Sequence, residues 1–102
     1  MRKYETLILF SPDLSEDEHK ELLEGFTAIL EREESKILIV DDWGMRDLAY
    51  PVRKQMRGRY VRLEYAAKPA TIQEFERNIR ISEPVFKFVT VQLDKNAEEE
   101  AA

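Results

Sequence analysis

The sequence predicts an α+β fold, a two-layer sandwich with two helices covering one face of a four-stranded antiparallel sheet. Three observations carry this. Four runs alternate with a period of two, and two stretches carry apolar residues at spacings of three and four. Their order is strand, helix, strand, strand, helix, strand. The 102 residues leave room for one domain. It is expected over 1–94, with an acidic, flexible tail over 95–102.

Residues 2–10 read as a strand with Tyr4, Thr6, Ile8 and Phe10 on one face and Lys3, Glu5, Leu7 and Leu9 on the other. Pro12 ends it, because it has no amide to donate. Ser15 and Glu18 have the spacing of a capping box, and a helix follows to about Glu34. Its stripe is Leu22, Leu23, Phe26, Ile29 and Leu30. Gly25 weakens it by roughly 1 kcal/mol relative to alanine and is a candidate for close approach to the sheet. Lys36–Val40 is a second strand, with a bend or bulge at Trp43-Gly44 and strand character resuming through Leu48-Ala49-Tyr50. Residues 51–57 read as a basic connection and Arg59–Ala66 as the third strand. Pro69-Ala70-Thr71 opens a second helix, in which Thr71 and Glu74 repeat the capping-box spacing and Ile72, Phe75 and Ile79 form the stripe. Val85–Leu93 is the last strand. Each half is a βαβ unit, and right-handed crossovers put both helices on one face, the ferredoxin-like arrangement. The first and third strands then lie in the centre of the sheet. Their uncovered faces carry Leu7 and Leu9 beside Tyr60 and Arg62.

The net charge of −5 argues against a polyanionic ligand, but its distribution does not. From Trp43 to Arg62 six basic residues face one acid, Asp47, which leaves +5 there and −10 on the rest. Catalysis finds little support. The chain has no cysteine, so thiolate chemistry and disulfides are excluded. Its one histidine, His19, sits among Glu16, Asp17, Glu18 and Glu21 and reads as part of a solvated helix face. No second histidine exists to complete a transition-metal site. The glycines are isolated, so no phosphate-cradling loop is available, and the serines lack a nucleophile motif. No apolar run is long enough for a membrane helix, and the N-terminus lacks a signal-peptide pattern. The expectation is a protein that is not an enzyme and uses no cofactor or metal.

Arg57-Gly58-Arg59-Tyr60-Val61-Arg62-Leu63 is similar to the third-strand signature of RNA-recognition domains, with fewer aromatics than base stacking requires. A stronger likeness lies in Gly44-Met45-Arg46-Asp47-Leu48-Ala49-Tyr50-Pro51-Val52-Arg53-Lys54. This segment resembles the signature of the family of the sixth protein of the bacterial small ribosomal subunit, with Val52 where isoleucine is usual. The opening Met1-Arg2-Lys3-Tyr4-Glu5 and Asp41-Asp42-Trp43 resemble the same family, and the likeness runs from residue 1 to about 94. It implies a cytoplasmic ribosomal protein that binds the central domain of small-subunit ribosomal RNA together with the eighteenth small-subunit protein.

Within that expectation, Arg2, Arg46, Arg53 and Lys54 are the candidate phosphate contacts. Arg46 can instead pair with Asp47 or Glu64. Tyr50 either stacks on a sugar or base, or donates to a phosphate, or is a half-buried strand tyrosine beside Pro51. The candidate partner surface is Leu7, Leu9 and Tyr60 on the uncovered sheet face, against ordinary scattered surface apolarity. Two other classes stay open: a stand-alone single-stranded RNA-binding module of the RNA-recognition type, and a small oligomerising ferredoxin-like regulatory domain.

Overall fold

The computed structural model describes residues 1–93, so the tail expected over 95–102 lies outside it. The elements are β1 (Arg2–Phe10), α1 (Glu16–Arg32), β2 (Lys36–Val52), β3 (Gln55–Ala67), α2 (Pro69–Arg80) and β4 (Val85–Gln92). They form one antiparallel sheet in the order β2-β3-β1-β4, with β1 and β3 central as expected.

α1 begins where its capping box requires. The Ser15 hydroxyl accepts from the Glu18 amide at 3.1 Å, and the Glu18 carboxylate accepts from the Ser15 amide at 3.0 Å. α2 opens at Pro69 as expected, but without the expected capping box. Lys68 is its N-cap with no side-chain cap, and Pro69 takes the first turn, where a missing amide costs nothing. Thr71 therefore lies inside the helix and buried, and Glu74 pairs with Arg77 at 2.7 Å instead of reaching back. Gly25 makes no close approach to the sheet. It is exposed, with open space where a Cβ would stand.

The core lies between sheet and helices. Ile8 and Phe10 of β1 and Val61, Leu63 and Tyr65 of β3 meet Phe26 and Leu30 of α1 and Phe75 and Ile79 of α2. Each such side chain contributes roughly 1.5–3 kcal/mol by leaving water. A polar chain crosses this core: the Tyr65 hydroxyl meets Thr6 Oγ1 at 2.8 Å, which meets Thr90 Oγ1 at 2.9 Å. Burial drives the Tyr65 pKa up to about 12, against the weaker opposing hydrogen bond from Thr6.

The largest departure is the β2–β3 hairpin. The expected connection over 51–57 is mostly strand, and the turn shrinks to Arg53 and Lys54, flanked by the pair Val52 and Gln55. Pro51 is tolerated because β2 is an edge strand and needs no donor on its outer side. The register shifts between Asp42 and Gly44, so that of the bend or bulge expected at Trp43-Gly44 a bulge is found, and it shifts again between Asp47 and Val52. In this second interval Leu48 to Pro51 span what Met56 alone covers on β3. That arm of the hairpin is longer, so it bows.

Candidate nucleic-acid and partner interface

Ion pairing sorts the basic segment into spent and unspent charge. Arg57 pairs with Asp47 at 3.2 Å. Arg59 bridges Glu16 and Asp42, each at 2.9 Å. Arg62 meets Glu5 at 3.2 Å, Glu64 at 3.1 Å and Asp41 at 3.7 Å. Arg46, Arg53 and Lys54 form no ion pair among the described residues. Both acids that were candidate partners of Arg46 are taken, Asp47 by Arg57 and Glu64 by Lys3 and Arg62. Within the segment from Trp43 to Arg62 the uncompensated cations are thus Arg46, Arg53 and Lys54, each expected to contact phosphate.

The bowed hairpin carries Arg53 to the start of β4. Arg53 donates to the Glu83 carbonyl at 2.9 Å and lies 5.1 Å over the Phe86 ring. Arg53 and Lys54 both take left-handed backbone angles, φ 48° and 65°, as a two-residue hairpin turn demands. Tyr50 is 60 % exposed, so the half-buried alternative does not hold. Its hydroxyl accepts from Lys87 Nζ at 3.0 Å, and this hydrogen bond lowers the phenol's pKa while raising that of Lys87. Arg80, over the Phe88 ring at 5.6 Å, adds a further cation around the cleft that Arg53, Phe86, Lys87 and Phe88 line. Sequence reasoning missed Arg80 and Lys87. The available signal was the interleaving of cations and aromatics through Arg80, Phe86, Lys87 and Phe88. Arg2 stands apart: it pairs in register with Ala67, at the opposite end of the sheet from Phe10 and Arg59. Its guanidinium reaches Gln92 at 3.5 Å.

The expected partner patch needs correction at Leu9. That residue is on the helix-free face but only 1 % exposed. Gly58 packs on it so tightly that an added Cβ would collide with the Leu9 side chain and lie 3.2 Å from the Phe10 carbonyl. A buried side chain offers no free surface. Leu7 and Tyr60 keep partial exposure. Register puts Val89 beside Leu7 and Val91 beside Glu5, and they are 54 % and 46 % exposed. Beside these residues the face carries an ionic network, built from Arg62 with its acids and Lys3 with Glu64 at 3.0 Å.

His19 also departs from expectation. It is 3 % exposed, packs edge-on against Phe10 at 4.8 Å between ring centroids, and meets Asp42 Oδ2 through Nε2 at 3.2 Å. Asp42 accepts from the Gly44 amide at 2.9 Å as well as from Arg59. Burial raises the Asp42 pKa, but the Arg59 and Gly44 hydrogen bonds outweigh it, and the carboxyl ends below its ordinary value. These contacts tie α1 and β3 to the β2 bulge. At that bulge Gly44 has φ 76°, a conformation open to glycine at little cost.

An α+β sandwich with one uncovered sheet face and a cationic, aromatic hairpin has the equipment of a binding protein rather than an enzyme. Comparison with known proteins makes this specific. The family model described as "Ribosomal protein S6" matches residues 3–92. The chain belongs to the ribosomal protein S6 family, whose members are structural, non-enzymatic components of the small ribosomal subunit. Small ribosomal subunit protein bS6 of Nitratidesulfovibrio vulgaris is 58 % identical over 101 residues, covering 99 % of this chain and all of that protein. The protein of the same name from Syntrophotalea carbinolica is 46 % identical and covers 100 % of this chain and 89 % of its own length. The crystal structure of 30S ribosomal protein S6 from Thermotoga maritima superposes with a TM-score of 0.91 at 27 % identity, over 98 % of this chain and 94 % of that one.

Proposed function

We propose that this protein binds the central domain of small-subunit ribosomal RNA as a pair with the eighteenth small-subunit protein. The hairpin holds phosphate and the uncovered sheet face meets the partner. The observation that carries the RNA half is the selective neutralisation around the hairpin, which among the described residues leaves Arg46, Arg53 and Lys54 without acids while Arg57, Arg59 and Arg62 are paired. Uncompensated exposed cations attract a polyanion at little desolvation cost. Tyr50 and Lys87 stand beside them as a stacking surface and a further cation. Arg2, at the other end of the sheet, makes a separate phosphate contact. For the partner half, Leu7 and Tyr60 supply apolar surface that Val89 and Val91 extend, and Leu9 supports it from below. A partner contributing positive charge reconciles a chain of net charge −5 with an RNA particle.

The test is the salt dependence of RNA affinity, measured with the partner present. Lys54→Ala is expected to reduce the slope of log affinity against log salt by about one unit. An unchanged slope removes Lys54 from the interface. Sedimentation of lysate should show the protein travelling with small ribosomal subunits.

A further inference from the structure

We infer that the β2 bulge builds a second, distinct RNA subsite: a shallow cleft lined by Trp43, Arg46 and Tyr60 that takes one unpaired nucleobase and its phosphate. This rests on the RNA-binding reading above, and it moves Tyr60 from the partner surface, which keeps Leu7, Val89 and Val91, to a base contact.

The argument starts at the bulge. Gly44 stands opposite Tyr60 and Arg46 opposite Gly58, so the cleft opens on the uncovered face of the sheet. Trp43 turns its indole over that face, with Nε1 donating to Asp41 at 2.9 Å, and its ring centre lies 6.0 Å from that of Tyr60. The two rings are inclined by 53°, so they form a V rather than a closed stack. Trp43 is 39 % exposed, a large apolar surface left to water. The clamp of His19, Asp42 and Arg59 fixes this geometry from the helix side. An open aromatic pair accepts either a cation or a flat base. Arg46, exposed and without an ion pair among the described residues, stands beside the rings, where it repels a cation and offers a forked donor to a phosphate or a base edge. A flat group joined to an anion satisfies both walls. A protein side chain satisfies one at most, because an apolar anchor seated there desolvates the guanidinium without pairing it.

Trp43 is the only tryptophan, so its emission reports on the cleft. The experiment titrates the full chain, alone and paired with the eighteenth small-subunit protein, with hexaadenylate RNA, following Trp43 emission and the anisotropy of labelled RNA. Wild type is compared with Trp43→Ala, Trp43→Phe, Arg46→Gln and Lys54→Ala. Expected are quenching in the wild type, an affinity loss of about tenfold for Trp43→Ala, near-normal affinity for Trp43→Phe, and a salt slope lower by about one unit for Arg46→Gln. Trp43→Phe keeps a ring in place, so it separates stacking from loss of fold. If Trp43→Ala binds RNA as the wild type does while Lys54→Ala binds less well, the base subsite is overturned and the hairpin reading stands. If Trp43→Ala weakens binding while Lys54→Ala is silent, the subsite stands and the phosphate role of Lys54 fails. Emission that ignores RNA but responds to the protein partner overturns the subsite in favour of a protein contact.

Discussion

Leu9 and His19 show why single residues are the hardest scale to read from a sequence. By alternation Leu9 belongs with Leu7 on the uncovered face, and so it does, yet Gly58 lets the neighbouring strand close over it. Alternation assigns a side chain to a face but cannot say whether the face is open there. The two leucines should therefore behave differently. Leu9→Asp buries a carboxylate and is expected to destabilise the fold by about 3 kcal/mol or more. Leu7→Asp should leave the melting temperature nearly unchanged and weaken partner binding. Thermal denaturation paired with titration calorimetry checks both, and equal stability losses would remove Leu7 from the partner surface. His19 was misread for a related reason. Its sequence neighbours are acidic, but the ring points away from them to Phe10 and Asp42.

At the scale of elements the hairpin concentrates what the chain does. Its turn puts Arg53 and Lys54 in the left-handed region, which costs non-glycine residues about 1 kcal/mol each and favours Asn-Gly. Arginine and lysine there sacrifice stability for charge. The double variant Arg53→Asn/Lys54→Gly is thus expected to gain about 1 kcal/mol in urea denaturation and to lose RNA affinity and salt dependence together. A variant that gained neither stability nor lost affinity would contradict both the strain and the phosphate role. The bow of Leu48 to Pro51 was not legible beforehand, because register depends on the partner strand. The α1 cap was legible, being local: Ser15 and Glu18 satisfy each other without tertiary help.

For the whole molecule, charge pairing at the acid extreme and burial at the alkaline one link stability to pH. Lys3 is the main cause of the lowered Glu64 pKa, while Arg59 and Gly44 hold Asp42 down against its burial. A carboxylate lowered on folding stabilises the native state above its unfolded pKa, and that contribution disappears as pH falls through the folded value. Stability should therefore fall progressively below about pH 4, and Glu64→Gln should flatten that limb. Tyr65 acts in the opposite sense. Its raised pKa leaves stability intact below 10 and removes it as pH climbs to about 12. Urea titrations across pH check this; a Tyr65→Phe variant with the same alkaline loss as wild type would refute the assignment.

By itself the sequence determined the order of the six elements, the two apolar helix stripes, the inward face of β1 and β3, an irregularity at Trp43-Gly44 and the family likeness. These follow from short-range periodicity and motif spacing. Tertiary structure alone decided which cations stay uncompensated, where the hairpin bends, that Arg80 and Lys87 join Arg53 and Tyr50, that Arg2 lies far from them, and that Leu9 is sealed. The physical reason is that ion pairing and burial are set by neighbours distant in the chain: Arg59 finds Glu16 across 43 residues and Tyr50 meets Lys87 across 37.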